Sequence, residues 1–298
     1  MPITDYYGRK YGTTYLELSV LPEGGKERIV HHQLQDQDAY DTWHLSYYLK
    51  EIISYKKLLD NECINLEQLP RKEKNLFLYL IVACCPQFRT ILELGSSLFE
   101  MIDGLQLVKK YLREAHSLIP IIDLKGISYL GIEISELLSS ASIIIHPESN
   151  VILYSSTTEV EENFDILYDR AVSSYVFETA KEVAEFINCS EVALINFFLS
   201  KGETFVSPRL GKLFTYFSLE EVIGYLDKPL YHLFGEKAPG HKVSKGQSVV
   251  EGFFLCCSPE IANSFSALSQ QDASIRSYFN EKQIVLNDAS ILLARKNR

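Results

Sequence analysis

The sequence has no excess of basic residues. Its 298 residues contain 29 Lys and Arg against 39 Asp and Glu, which gives a formal net charge of −10. Proteins whose affinity depends on nucleic-acid phosphates need clustered Lys and Arg. The short basic clusters that do occur, at 56–57 and 71–74, have acids close by, as on a solvated helix face. The composition therefore argues against a nucleic-acid partner.

Long apolar runs are also lacking. No run approaches the roughly 18 apolar residues of a membrane span. The first residues, Met1 to Asp5, do not have the basic-then-apolar layout of a signal peptide. We therefore expect no membrane partner and, by default, a cytoplasmic location.

Several site signatures are missing. None of the six cysteines stands in a C-x-x-C pair, and the vicinal pairs Cys84-Cys85 and Cys256-Cys257 lie inside apolar runs, where buried thiols are expected. The chain has no G-x-x-x-x-G-K-[ST], no G-x-S-x-G and no H-E-x-x-H. P-loop nucleotide hydrolysis, serine hydrolysis of the α/β type and zinc proteolysis are therefore not indicated.

The most informative stretch that is present begins with a buried strand at 89–94. Ile91, Leu92 and Leu94 suit a strand, Glu93 places an acid near its end, and Gly95 permits the positive φ of a tight turn. Apolar residues at helical spacing follow from 99 to 112. A strand, a turn and a helix N-terminus form a corner that binds anions or nucleotides, although a buried corner without a ligand fits the same pattern.

From this stretch onward, β-type apolar runs alternate with helical segments. That order is typical of a parallel sheet with crossover helices. The predicted strands are 89–94, 127–132, 150–156, 164–168, 191–199, 230–234 and 249–257, and the predicted helices are 99–112, 135–143, 178–188 and 218–226. In residues 1–88, the spacing of apolar residues predicts a mainly helical cap with helices at 36–61 and 71–85. Residues 259–298 predict an extension with a β-hairpin that turns at Asn287-Asp288.

Several of these segments resemble the motifs of the class I S-adenosylmethionine-dependent methyltransferases. The segment from Glu93 to Phe99 resembles the first motif. It keeps the acid and one glycine, Gly95, but has Ser97 and Phe99 at the two positions where the family normally has further glycines. The segment 129–135 resembles the second motif, and 164–170 resembles the fourth. The resemblance covers roughly residues 89–258. It implies an α/β fold with a Rossmann-like seven-stranded sheet whose last strand is antiparallel.

The resemblance also implies a cofactor and residues that bind it. The methyl donor would be S-adenosylmethionine, with S-adenosylhomocysteine as the product. Glu93 would bind the amino end of the donor, Glu133 would accept hydrogen bonds from the ribose hydroxyls, and the turn at Gly95 and Ser97 would lie against the nucleotide. Ser155, Ser156 and Asp169 complete the predicted cofactor contacts. The alternative for each predicted contact is a residue that binds no ligand, in a polar turn for the serines and at a strand end for the acids.

Methyl transfer to oxygen or nitrogen is helped by alignment and, for a hydroxyl acceptor, by a base. The catalytic candidates are Asp169 and His146 as bases and Arg170 as the holder of an anionic acceptor. Arg170 could instead pair with an acid at 161–162. Other histidines that could act as the base are His31, His32, His44, His232 and His241. No second acid follows Asp169 at Arg170 or Ala171, so a metal-dependent reaction is not expected.

Two functions remain open at this stage. The first is methylation of a small-molecule acceptor, such as a sugar or secondary-metabolite hydroxyl. The second is a methyltransferase-like protein that has lost the donor and serves as a binding or scaffold subunit. The missing glycines favour the second function, whereas Glu93 and Glu133 favour the first. The apolar C-terminal segment also suggests self-association, so a homodimer is a further expectation.

Overall fold

The computed structural model describes residues 17–20, 27–30, 37–160, 163–200, 202–209, 212–237 and 249–289. Two early strands, β1 (Glu17–Val20) and β2 (Glu27–Val30), form an antiparallel pair of their own. His31, His32 and His241, together with the acids at 161–162, lie outside the described residues.

The main sheet is mixed. Its strands are β3 (Thr90–Leu94), β4 (Ser128–Ile132), β5 (Asn150–Tyr154), β6 (Phe164–Asp169), β7 (Ser190–Ser200), β8 (Phe205–Arg209), β9 (Lys212–Ser218), β10 (Leu230–Lys237), β11 (Val249–Cys256) and β12 (Asn287–Asp288). They lie in the order β5-β4-β3-β6-β7-β11-β10-β12, with β9 beside β7 and β8 beside β9. The strands β3 to β7 are parallel, whereas β11 is antiparallel to both β7 and β10. The seven predicted strands, which are β3 to β7, β10 and β11, and the antiparallel last strand are confirmed.

Helices cover both faces of this sheet. They are α1 (Gln37–Asp60), α2 (Lys72–Cys84), α3 (Glu100–Glu114), α4 (Glu136–Ile145), α5 (Ser173–Val176), α6 (Ala180–Asn188), α7 (Leu219–Tyr225), α8 (Pro259–Ser269) and α9 (Ala273–Glu281). Successive side chains of β3 point to opposite faces of the sheet, so the core has two halves. Ile91 packs with α2, α3, α8 and α9 on one face, whereas Leu92 and Leu94 pack with α6 and α7 on the other. Among the described helices, none is long and apolar enough to cross a membrane.

The contact between α2 and α3 depends on one glycine. A β-carbon on Gly104 would lie 2.6 Å from Cγ of Asn75. Asn75 is buried and its Nδ2 donates to the carbonyl of Pro70 at 2.8 Å, so the side chain cannot move without losing that bond. The absence of a side chain at 104 therefore sets the distance between the two helices.

We expect Gly104→Ala to lower the free energy of unfolding by about 1–3 kcal/mol, because overpacking outweighs the better helix propensity of alanine. Urea denaturation would measure it. The matched control is Gly224→Ala in α7, where an added β-carbon meets nothing within 4 Å. The control variant should be unchanged or slightly more stable, and an equal loss in both variants would refute the packing argument.

The hairpin of β8 and β9 was not predicted. Its residues 205–218 follow β7 directly, and Phe205, Phe214 and Tyr216 pack with Phe198 of β7. Pro208 lies in β8, where proline is tolerated because β8 has a partner on one side only, as the described strands show. Glycines at 202 and 211 indicate turns, so the sequence of this segment does not predict the two short strands between and beside them. These strands are stabilised by packing on β7.

The predicted C-terminal hairpin turn is wrong. Asn287 and Asp288 form β12, which pairs with His232 and Tyr231 of β10. An Asn-Asp pair suits a tight turn, but here the edge of β10 offers backbone partners that the sequence does not reveal. Ile284 is buried in the core of the same chain. The second half of the predicted hairpin, beyond residue 289, lies outside the described residues.

Candidate functional site

Three strand ends converge at one edge of the sheet. Leu94 at the end of β3 pairs with Ile132 at the end of β4 and with Asp169 at the end of β6. Because the strands are parallel, the residues after them meet in the crevice where ligands of open α/β sheets bind. Glu93, Glu133 and Arg170 are thereby brought to one place.

The loop after β3 has an unusual backbone. Gly95, Ser97 and Phe99 have φ values of 69°, 51° and 55°. These are the three positions at which the resembled family has glycine, and all three adopt a conformation that favours glycine although only one is glycine. Phe99 is buried, and Gly131 of β4 has no room for a side chain, because a β-carbon there would lie 2.7 Å from Cβ of Ser96. The loop lies tightly on β4.

Glu133 ties this loop to the next one. Its Oε2 accepts a hydrogen bond from the Ser97 N–H at 3.0 Å, and its Oε1 accepts one from the Ser135 N–H at 3.0 Å. Burial raises the pKa of Glu133 to about 7, although both backbone bonds act in the opposite direction. Each carboxylate oxygen has two lone pairs, so Glu133 can still accept further hydrogen bonds.

Arg170 lies between two buried acids. Its Nε is 2.9 Å from Oε1 of Glu93, and its Nη2 is 3.1 Å from Oε2 of Glu100. Both glutamate side chains are fully buried. Burial raises the pKa of Glu93 to about 8, even though Arg170 lowers it. Burial lowers the pKa of Arg170, but Glu93 and Glu100 raise it by more, so the guanidinium stays charged. Its ion-pair partners among the described residues are therefore these two acids, while the acids at 161–162 that the sequence suggested lie outside those residues.

Asp169 holds the turn that follows β6. Its Oδ1 accepts hydrogen bonds from the N–H groups of Val172 at 2.7 Å and Ser173 at 3.2 Å. Burial raises the pKa of Asp169 to about 6. One oxygen of the Asp169 carboxylate therefore holds the backbone at the start of α5. The other oxygen, Oδ2, has no hydrogen-bond partner among the described residues.

Polar atoms without partners are concentrated at this edge of the sheet. Buried polar groups in folded proteins normally have hydrogen-bond partners. Within the described part of the chain, the atoms that lack one include both carboxylate oxygens of Glu93, one each of Glu100, Asp103 and Asp169, and the hydroxyls of Ser96 and Ser174. Oε1 of Glu93 nonetheless has its ion pair with Arg170. The cluster therefore has more acids than cations, and several of its carboxylate oxygens retain free lone pairs.

Helix α1 and the start of α2 cover this cluster. Tyr48 of α1 lies against Ser97, Glu100 and Arg170, and burial, together with Glu100, raises its pKa to about 12. Arg71, the residue before α2, forms an ion pair with Glu51 of α1 at 2.5 Å. Both helices therefore shield the carboxyl ends of β3 and β6 from solvent.

The central strands decide the fold. Seven of them run β5-β4-β3-β6-β7-β11-β10, and the last in the chain, β11, is inserted antiparallel between β7 and β10. This is the class I methyltransferase fold. The methyltransferase-type sheet predicted from the sequence is confirmed, and the loop with three positive φ values is at the position of the family's glycine loop.

Comparison with solved structures finds proteins of low similarity to this chain. The N-terminal domain of EvdMO1, crystallised with SAH and D-fucose, is 13% identical, with a TM-score of 0.41, 71% of this chain covered and 97% of that one. DesVI of Streptomyces venezuelae is 12% identical, with a TM-score of 0.36 and coverages of 62% and 92%. The 1,6-didemethyltoxoflavin-N1-methyltransferase of Burkholderia thailandensis is 10% identical, with a TM-score of 0.37 and coverages of 82% and 95%. No protein-family profile and no curated protein matches the sequence.

The other predicted site residues make local contacts within the methyltransferase fold. His146 caps the end of α4, and its Nε2 lies 2.9 Å from the carbonyl oxygen of Leu98. Because the carbonyl can only accept, Nε2 donates this hydrogen bond. Burial lowers the pKa of His146 to about 4, so the ring is neutral. The Ser155 N–H donates to the carboxylate of Glu159 at 2.7 Å, and the Ser156 hydroxyl lies 2.8 Å from that of Thr158. These serines follow β5, one strand beyond Glu133.

The alternative histidines lie in two different places. His44 stacks on Tyr48 with 5.7 Å between ring centroids, so it lies beside the acidic cluster. His232 of β10 packs on Phe254 of β11, and β10 is three strands from β6 in the sheet order. Within the described residues, no group of three or more His, Cys, Asp or Glu side chains is arranged to hold a metal ion.

Sequence reasoning missed four residues of this region: Tyr48, Arg71, Lys74 and Glu100. Glu100 is an acid in the first turn of a helix, where acids are common for the sake of the helix dipole, so its burial against Arg170 has no signature in the sequence. Tyr48, Arg71 and Lys74 belong to the cap region, and only the packing of α1 and α2 brings them to the strand ends.

Proposed function

We propose that this protein is an S-adenosylmethionine-dependent methyltransferase that acts on a small-molecule acceptor. The observation that carries the proposal is the excess of buried, incompletely partnered carboxylates at the carboxyl ends of β3, β4 and β6. A buried carboxylate is stable when a cation or several hydrogen-bond donors accompany it. The donor has a sulfonium, an ammonium group and two ribose hydroxyls, and it would supply an electrophilic methyl group when bound.

The chain's own residues fit the donor in separate roles. Glu93, buried with an unpartnered Oε2, suits the ammonium group, and Glu133 suits the ribose hydroxyls. Gly95 and Ser97 provide the tight backbone turn against the nucleotide. Ser155 and Ser156 remain the proposed adenine contacts. His146 supports the loop at Leu98, so Asp169 and Arg170 are the better candidates of the three for the acceptor side.

Donor binding should strengthen as the pH rises from about 6 to about 8. Burial raises the pKa of Glu93 to about 8 and that of Glu133 to about 7, so both are partly protonated in the free protein near neutrality. A cationic ligand binds the ionised carboxylate. When a group must lose its proton before the ligand binds, the binding affinity rises by up to about tenfold for each pH unit below the pKa of that group. We expect titration calorimetry with S-adenosylmethionine to show proton release and an affinity that rises by about 50-fold over this range, the ratio of the ionised fractions of Glu93 at the two pH values.

The control for that titration is Glu93→Gln, which cannot ionise at position 93. It should bind the donor more weakly and with a smaller pH dependence. An affinity of the wild-type protein that is flat or falls with pH would contradict the assignment of these carboxylates to a cationic ligand.

One observation favours a second function, a methyltransferase-like protein that no longer binds the donor. The guanidinium of Arg170 already pairs with Glu93 at 2.9 Å, so an internal cation is beside the acid that the donor's ammonium would need. Calorimetry decides between the two: no heat with either S-adenosylmethionine or S-adenosylhomocysteine at millimolar concentration would favour the binding or scaffold protein.

A further inference from the structure

Asn196 of β7 has a buried oxygen without a partner. Its Nδ2 donates to Oε1 of Glu251 at 2.9 Å, and because a carboxylate only accepts, this bond fixes which way the amide faces. Asn196 is 2% exposed, and its Oδ1 has no hydrogen-bond partner among the described residues. It follows the residue that pairs with Asp169, so it lies at the same edge of the sheet as the acidic cluster. A buried acceptor in this position calls for a hydroxyl or N–H group of a ligand.

Lys74 lies on the same face of the sheet. Its Nζ is 4.9 Å from the ring centroid of Phe253, and Phe253 is the residue of β11 that pairs with Asn196. Within the part of the chain that the structure describes, Lys74 has no carboxylate within 4.0 Å. Lys74 thus contacts the ring of Phe253, the cross-strand partner of Asn196, and is left without an acid to neutralise it among the described residues.

The charges that face Lys74 connect it to the end of β6. Burial, followed by Arg170 and Arg71, lowers the pKa of Lys74 to about 8, while Glu251 and Asp169 act in the opposite direction. A neutral amine is therefore populated near physiological pH. Asp169 and Arg170 are the residues proposed for the acceptor side, so Lys74 and Asn196 lie with the groups that would face an acceptor.

We propose that Lys74 is a catalytic residue of the acceptor subsite, and that it takes the proton of a hydroxyl group on a hydroxylated small molecule held against Asn196 Oδ1. This inference rests on the proposed methyl transfer. As the acceptor oxygen forms its bond to the methyl carbon, the carbon–sulfur bond breaks and its electrons stay on sulfur as a neutral thioether. The hydroxyl proton moves to Nζ of Lys74. The positive charge thus passes from sulfonium to ammonium, and the total charge of the buried site is unchanged.

The test measures the pKa of Lys74 directly in protein labelled with ¹³C-lysine, from the Cε chemical shift between pH 6 and 10. Lys74→Met assigns the signal. If the amine lies close enough to the methyl group to take the proton, the sulfonium of S-adenosylmethionine should lower the pKa of Lys74 by about one unit relative to the complex with the neutral thioether S-adenosylhomocysteine. Lys72, which pairs with Glu67 at 2.6 Å, is the internal control and should not respond.

The outcomes separate this inference from the proposed function. If both nucleotides bind and the pKa of Lys74 is the same in the two complexes, or lies above about 10 as in free lysine, the acceptor role of Lys74 is overturned while methyl-donor binding stands. If neither nucleotide binds the wild-type protein, the proposed function fails and the acceptor subsite with it. Lys74→Met should bind S-adenosylhomocysteine as the wild type does, and a variant that has lost this binding would place Lys74 in the donor site instead.

Discussion

Arg170→Met should lower the free energy of unfolding by about 3–5 kcal/mol at pH 8, the usual cost of leaving a buried charge without its partner. Arg170 is the cation that lies within ion-pair distance of both Glu93 and Glu100, whose side chains are fully buried. Without it, the carboxylates either stay charged in a low dielectric or become protonated. Protonation is easier at pH 6, so the loss should be smaller there than at pH 8. Urea denaturation at both pH values measures it.

The control is Arg276→Met, which removes an exposed guanidinium that donates to the carbonyl of Gln270. A surface change of this kind should alter stability by less than about 0.5 kcal/mol. A loss below about 1 kcal/mol for Arg170→Met at pH 8 would show that water or other groups stabilise Glu93 and Glu100 as well as the arginine does.

The same variant bears on the choice between the two functions. If Arg170 occupies the place of the donor's cation, Arg170→Met should bind S-adenosylmethionine more tightly than the wild type, because Glu93 and Glu100 then need a new partner. If Arg170 holds an anionic group of the donor or acceptor, the variant should bind more weakly. Calorimetry on the folded variant at pH 7 distinguishes the two.

Glu133→Ala should weaken binding of S-adenosylhomocysteine by about 1.5–3 kcal/mol, the range for a hydrogen bond to a charged group, which is about 10- to 150-fold in affinity. The carboxylate would accept from the ribose hydroxyls while it holds the N–H groups of Ser97 and Ser135. Its loss therefore removes a ligand contact and loosens the loop that positions the nucleotide.

The matched control is Glu136→Ala, three residues further on and exposed in the first turn of α4, which should bind with unchanged affinity. Thermal unfolding of both variants checks that the fold is kept. An unchanged affinity in a folded Glu133→Ala protein would remove the ribose assignment, and with it the strongest link between the second motif and the donor.

Between residues 89 and 257 the sequence alone predicts the order of the seven strands of the central sheet and of helices α3, α4, α6 and α7, but not α5 or the hairpin of β8 and β9. The signals for these elements are local: Gly95 permits a positive φ, Ser135 and Ser218 cap helices α4 and α7, and apolar runs mark the central strands. The acids at the ends of β3, β4 and β6 could also be found in this way, because the end of a strand can be predicted from one segment alone.

The contacts of those acids depend on tertiary packing. Arg170 and Glu100 are 70 positions apart, and their ion pair depends on how β6 and α3 pack. Helix α1 brings Tyr48 to the same place, and α2 brings Lys74 over Phe253. At the C-terminus, Asn287 and Asp288 have turn propensity, yet they pair with β10 because its backbone groups need a partner. Local propensity determines the elements, whereas the partners of buried charges and unpaired edges depend on residues far along the chain, which no local pattern encodes.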